Sequence, residues 1–200
     1  MNSSKLAFKR IMGDFLESLP PSKEYLILSF SPGSIPLKQK WSNNCLSADF
    51  LAEYFSSFFL EDNKCQINLE KQREIKSSIS YLANELLENG MKYCVKESTL
   101  PIDIQINLTD ELIILQLTNS ISHQQTKHFQ AQIEKLLQGN PSDMYLAQLE
   151  QNALAGDRAL SNIGLLSMFN DYHAKIGWYF QPPLQPNEPF TVTTMVRLLI

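Results

Sequence analysis

Apolar residues recur along this chain in two rhythms, one at every third or fourth position and one at every second. The first is clearest at Ile75, Ile79, Leu82 and Leu86, a spacing that keeps the side chains on one face of a helix with about 3.6 residues per turn. Residues 75–93 are therefore predicted as the helix around which the domain is built, its apolar stripe turned to the core. The same rhythm predicts a helix over residues 6–19, from Leu6, Phe8, Ile11, Met12, Phe15, Leu16 and Leu19, ended by Pro20 and Pro21. Another starts at Ser47 as N-cap and carries Phe50, Leu51, Tyr54, Phe58 and Phe59. Phe129, Ile133, Leu136 and Leu137 predict a further helix closed by Gly139, Asn140 and Pro141. Residues 142–154 make a weaker one, and Ser161 or Asn162 can cap a last helix reaching about Tyr172.

The second rhythm is unbroken at Ile102, Ile104, Ile106 and Leu108, and a second apolar run, 112–118, follows the Thr109-Asp110 turn, which predicts a hairpin. Strands are also expected at 24–31, stopped by Pro32 and Gly33, and at 175–180 and 190–200, joined by a proline-rich loop. Residues 36–44 read as a loop anchored by Trp41. Helices and hairpins in this order predict an α+β fold, a two-layer α/β sandwich with a mixed, mostly antiparallel sheet and helices on one face. The domain is expected over 23–200, with the amphipathic helix of residues 1–22 ahead of it, either docked on it or binding a partner or a second copy.

Composition narrows the function classes. A chain of 200 residues with 44% hydrophobic content can bury a substantial core. Its net charge of −4, with no basic block, speaks against a nucleic-acid surface. Lys5, Lys9, Arg10, Asp14 and Glu17 interrupt the first apolar positions, so no signal peptide is expected, and no window reaches the roughly 20 apolar residues of a bilayer span. Cys45, Cys65 and Cys94 are odd in number and lack metal-ligand spacing, which suits reduced thiols and a cytoplasmic protein.

Candidate chemistry concentrates on the 75–93 helix. At about 100° per residue, Glu85, Asn89 and Lys92 fall within an arc of roughly 60°, off the apolar stripe, so an acid, an amide and an ammonium share one side. The plain alternative is a solvated polar helix face. His123 and His128, five apart, diverge by about 140° on a helix and do not suit a shared metal. His173, near a helix end, is accounted for by the helix dipole. Free N–H groups at a helix start attract anions, which makes Ser161, Asn162, Gly164 and Leu165 a candidate anion-binding turn.

The segment Asn84-Glu-Leu-Leu-Glu-Asn-Gly-Met-Lys-Tyr93 resembles the asparagine box of the GHKL ATPase superfamily, which includes sensor histidine kinase catalytic domains and anti-sigma-factor serine kinases. That box has a glutamate, an asparagine four residues on and a basic residue three further, matched by Glu85, Asn89 and Lys92. The family's order of hairpin, lid, glycine-containing helix start and two closing strands also matches residues 75–200. FSPGSIPLKQKW and LSADFLAEYFSSFF are similar to SiaB-like bacterial regulators within that superfamily.

The resemblance implies a Bergerat-type fold, ATP and Mg²⁺ as cofactors, Glu85 as catalytic base, Asn89 as metal ligand and Lys92 on a phosphate. It implies Ser161, Asn162, Gly164 and Leu165 as the second, phosphate-facing box, where of the family's two or three glycines only Gly164 stands. It implies a small regulatory partner, of the STAS-like anti-anti-sigma type, in a partner-switching system. The family's adenine-binding aspartate and its two glycines are replaced here by Thr118-Asn-Ser-Ile-Ser122, leaving Asn119 as a neutral acceptor. Exchanging a charged for a neutral acceptor weakens binding on the order of 1–2 kcal/mol, about tenfold or more. Two functions remain open from sequence: an ATP-dependent serine/threonine kinase, and a catalytically inactive module that binds its partner without ATP.

Overall fold

A computed structural model describes residues 9–31, 37–59, 66–155, 163–183, 185 and 188–200. Six strands, β1 (Arg10–Gly13), β2 (Glu24–Phe30), β3 (Ile102–Leu108), β4 (Leu112–Ile121), β5 (Lys175–Gln181) and β6 (Phe190–Leu199), form one sheet in the order β1-β5-β6-β4-β3-β2. Every neighbouring pair is antiparallel, so the parallel component of the expected mixed sheet is absent among the described strands. The described helices are α1 (Leu37–Ser56), α2 (Gln66–Tyr93), α3 (His123–Gln138), α4 (Pro141–Ala155) and α5 (Ile163–Asn170). The fold is the expected two-layer α+β sandwich.

Register explains the layers. Ile104 pairs with Leu117, Leu117 with Thr194 and Thr194 with Trp178, so these side chains share one face. On that face Ile102, Ile104, Ile106, Leu115, Val196, Ile176 and Trp178 are buried with Ile79, Leu82 and Leu86 of α2 in a single core. The period-2 strand and the period-3.6 helix thus present their apolar sides to each other. Phe129 of α3 packs edge-on against Trp178 and Phe180 of the same face. Gly90 brings α2 close to the sheet, since a Cβ there would lie 2.5 Å from Leu117 Cδ2.

Two expectations fail. The helix expected over residues 6–19 is not formed in its described part, 9–19: residues 10–13 are strand β1, hydrogen-bonded along β5. Residues 14–23 then cross the sheet's other face from one edge to the opposite edge. Along the way Phe15 packs on Tyr179 with ring centroids 5.4 Å apart, Leu16 N–H donates to Met195 Sδ at 3.4 Å, and Asn107 donates to Ser22 Oγ at 2.8 Å. The apolar residues that fit a helical stripe instead alternate along an edge strand and then cover the sheet, because the open edge of β5 satisfies backbone groups that a helix would satisfy internally. Residues 10–23 are therefore part of the domain, and within them no helix exists to recruit a partner or a second copy.

The second failure concerns residues 36–44. Helix α1 begins at Leu37, so the expected loop is helical from there and Ser47 lies inside the helix rather than capping it. The side chain of Trp41 lies outside the described residues. Phe55, Leu51, Ala48 and Asn44, at spacings of three and four, are buried, and that buried row continues the helix upstream of Ser47.

Candidate functional site

Helix α2 ends over strand β4, and helices α3, α4 and α5 fill the connection from β4 to β5. Between them lies a cavity of about 1270 Å³. Its floor includes Leu117 and Asn119 of β4 and Thr194 of β6, one wall is the last two turns of α2, and the facing walls come from α3, α4 and the start of α5. Glu85, Asn89, Lys92, Asn119, Gly164 and Leu165 all line it. Ser161 and Asn162, the other expected members, lie outside the described residues.

Glu85 is half-buried, and burial pushes its carboxyl pKa above the ordinary value, helped by the nearby charge of Glu88. Among the described residues no cation pairs with it. Its Oε2 would lie 1.9 Å from a Cβ built on Gly164, so the carboxylate rests directly against the first turn of α5. One turn earlier on α2, the Tyr81 hydroxyl hydrogen-bonds Ser167 Oγ at 2.6 Å, and the Tyr81 ring stacks on Tyr172 at 4.9 Å. Burial raises the pKa of both tyrosines, and the Glu85 charge adds to the effect.

Asn89 is half-buried in the wall, and among the described residues nothing hydrogen-bonds its side chain, so its amide, which carries a hard oxygen, is not committed to a protein partner. Lys92 is exposed at the rim, its Nζ 5.1 Å from the centroid of the Tyr93 ring. Asn119 is 4% exposed, and its Nδ2 donates to the Ser120 carbonyl at 2.9 Å. That bond orients the amide so that its oxygen is the group left to accept from a ligand.

Several lining residues escaped the sequence reading. Glu88 is one, oriented by a 3.2 Å bond from Asn84 Nδ2. His128, Gln132 and Lys135 of α3 also line the cavity, whereas His123 packs on Phe190 at 5.6 Å. The divergence of the two histidines is as expected, yet His128 belongs to the site on its own. Its signal in the sequence is the row Gln124, His128, Gln132 and Lys135, at spacings of four, four and three, beside the apolar row of α3.

The arrangement offers an elevated carboxylate, two amide oxygens and two rim lysines around a partly apolar hollow. It can hold a ligand with an apolar ring system and an anionic end, and it can take up a proton at Glu85. Among the described residues no three His, Cys, Asp or Glu side chains converge as a metal site, and no helix is long and apolar enough to cross a membrane. The chain matches no protein-family model and no curated protein, so its assignment rests on its own residues and geometry.

Proposed function

We propose that this protein is a cytoplasmic signalling regulator with a GHKL-type nucleotide-binding domain, which uses ATP and Mg²⁺ to phosphorylate a serine or threonine of a small partner protein. The observation that supports the reading is convergence: Glu85, Asn89 and Lys92 from α2, Asn119 from β4, and Gly164 and Leu165 from α5 border one cavity. At about 1270 Å³ it is ample for a nucleoside triphosphate, since drug-sized ligands occupy pockets of roughly 300–1,000 Å³. The donor set fits a metal ion carried in on phosphates, because Asn89 supplies a hard oxygen while no all-protein metal cage exists among the described residues. Bound MgATP would supply the phosphoryl group and neutralise its charge.

The chain's own residues then have distinct tasks. Glu85 takes the proton of the incoming hydroxyl, and its raised pKa makes it a better base than an ordinary surface carboxylate. Lys92 at the rim faces the phosphates, and the Asn119 oxygen receives a hydrogen bond from the base. The test is phosphate transfer from labelled ATP to a co-purifying partner. Transfer abolished by Glu85→Gln and by Asn89→Ala supports the kinase; no thermal shift in millimolar MgATP and no effect of Asn89→Ala overturn it.

Asn119 favours a second reading. A neutral amide stands where the resemblance calls for a carboxylate, which makes it the weaker acceptor for an adenine amino group. On this reading the domain is a pseudo-kinase that regulates its partner without ATP. Partner binding unaffected by nucleotide and by Glu85→Gln distinguishes it.

A further inference from the structure

We infer that Gly164 is a positioning residue for Glu85: the space left by its missing side chain is the space the carboxylate occupies, so the first turn of α5 sets where the candidate base lies. The inference takes Glu85 as base from the proposed function, but its geometry is independent of that reading. A Cβ on Gly164 would lie 1.9 Å from Glu85 Oε2 and 2.8 Å from Cδ, but 3.5 Å from Cγ. Only the carboxyl end is in conflict. Because that end is the tip of a rotatable side chain, a methyl group at 164 turns the carboxylate away rather than breaking the helix.

No backbone requirement explains the glycine. Its φ is not in the left-handed region, unlike that of Gly13 at +66°, and inside a helix alanine is the preferred residue. A second link between the same two helices lies one turn away on each, the 2.6 Å bond between Tyr81 and Ser167. Together the two contacts hold α5 in register against α2. A shift of α5, whether from a ligand at its first turn or from a partner, therefore reaches the Glu85 carboxylate directly.

The test combines ¹³C titration of the Glu85 carboxyl with thermal melts of the wild type, Gly164→Ala, Glu85→Ala and the double variant. Glu88 and Tyr81 of α2, and Tyr172 beyond α5, are the titratable groups acting on Glu85 or acted on by it, and they are unchanged across the series. Gly164→Ala is expected to move the Glu85 pKa back towards its ordinary value as the carboxylate swings to solvent. It is also expected to raise Tm more in the Glu85→Ala background than in the wild type. If Gly164→Ala alone fails to fold, folding of the double variant still supports the inference, and failure of both overturns it. An unchanged Glu85 titration with additive melts overturns it as well. If the variant series shows the coupling but the wild type transfers no phosphate, the positioning role stands and the kinase reading is refuted.

Discussion

Glu85 carries opposing demands, and they fix the sign of its effect on stability. A carboxyl whose folded pKa is raised binds its proton more tightly folded than unfolded, so the stability it contributes is present below the ordinary value of 4.5 and is lost as pH rises through the folded pKa. At neutral pH the ionised group is a cost, maintained by burial and by Glu88. Glu85→Gln is therefore expected to raise Tm at pH 7, modestly because the half-exposed group is screened by solvent. It should also flatten the pH dependence of stability just above pH 4.5, which melts from pH 4 to 8 would read; a lower Tm at pH 7 would contradict the burial account. His173 carries a comparable local cost, since its φ of 49° places a non-glycine residue in the left-handed region where α5 is closed off. His173→Gly removes that strain and is expected to gain about 0.5–1 kcal/mol, readable as a shift in denaturant midpoint at constant slope.

At the scale of elements, the segment crossing the back of the sheet depends on one strand position. Gly177 lies on β5, and a Cβ there would sit 2.1 Å from Phe15 N and 2.5 Å from its Cα, both backbone atoms that cannot swing aside. Gly177→Val is expected to destabilise by about 2 kcal/mol or more and to open residues 14–23 to limited proteolysis, while leaving the α2 end of the cavity unchanged. Phe15→Ala, which removes only the ring on Tyr179, should produce the same cleavage at a smaller cost. This segment also marks where sequence reading gives out. The β3–β4 hairpin and α2 are legible because a strand's alternation and a long helical stripe each admit one interpretation. Over 6–19 the spacing of Phe15, Leu16 and Leu19 suits a helix, but the choice is made by the free edge of β5, some 165 residues away in sequence. Helix α3 starts at a Ser122–Gln125 capping box that is present in the sequence as serine, two residues and glutamine, a local sign sufficient to place its start at His123.

For the molecule as a whole, the α2 residues of the site are legible from spacing, Asn119, Gly164 and Leu165 only through the resemblance, and the α3 residues only once the fold brings them in. Glu85, Asn89 and Lys92 are related by helical spacing alone, whereas His128, Gln132 and Lys135 reach the same cavity only because the fold seats α3 beside it, with Phe129 on Trp178 and Phe180 of β5. The candidate site therefore joins an α2–sheet core to a cover made of α3, α4 and α5. Aromatic packing ties that cover down through Phe129 on Trp178 and Phe180 and through Tyr81 on Tyr172. A ligand in the cavity touches both parts, and binding to the folded state alone stabilises by RT ln(1 + [L]/Kd), about 2.7 kcal/mol at a hundredfold excess over Kd. That stabilisation should be unevenly distributed. In hydrogen exchange with MgATP, the added protection is expected in residues 84–93 and 163–170 and across α3, with β2 at the distant sheet edge unaffected. Asn89→Ala should erase it without changing the exchange of the ligand-free protein. Equal protection throughout the sheet and the cover would place the nucleotide elsewhere, and protection confined to α3 would separate the cover's ligand from the Glu85 and Asn89 wall.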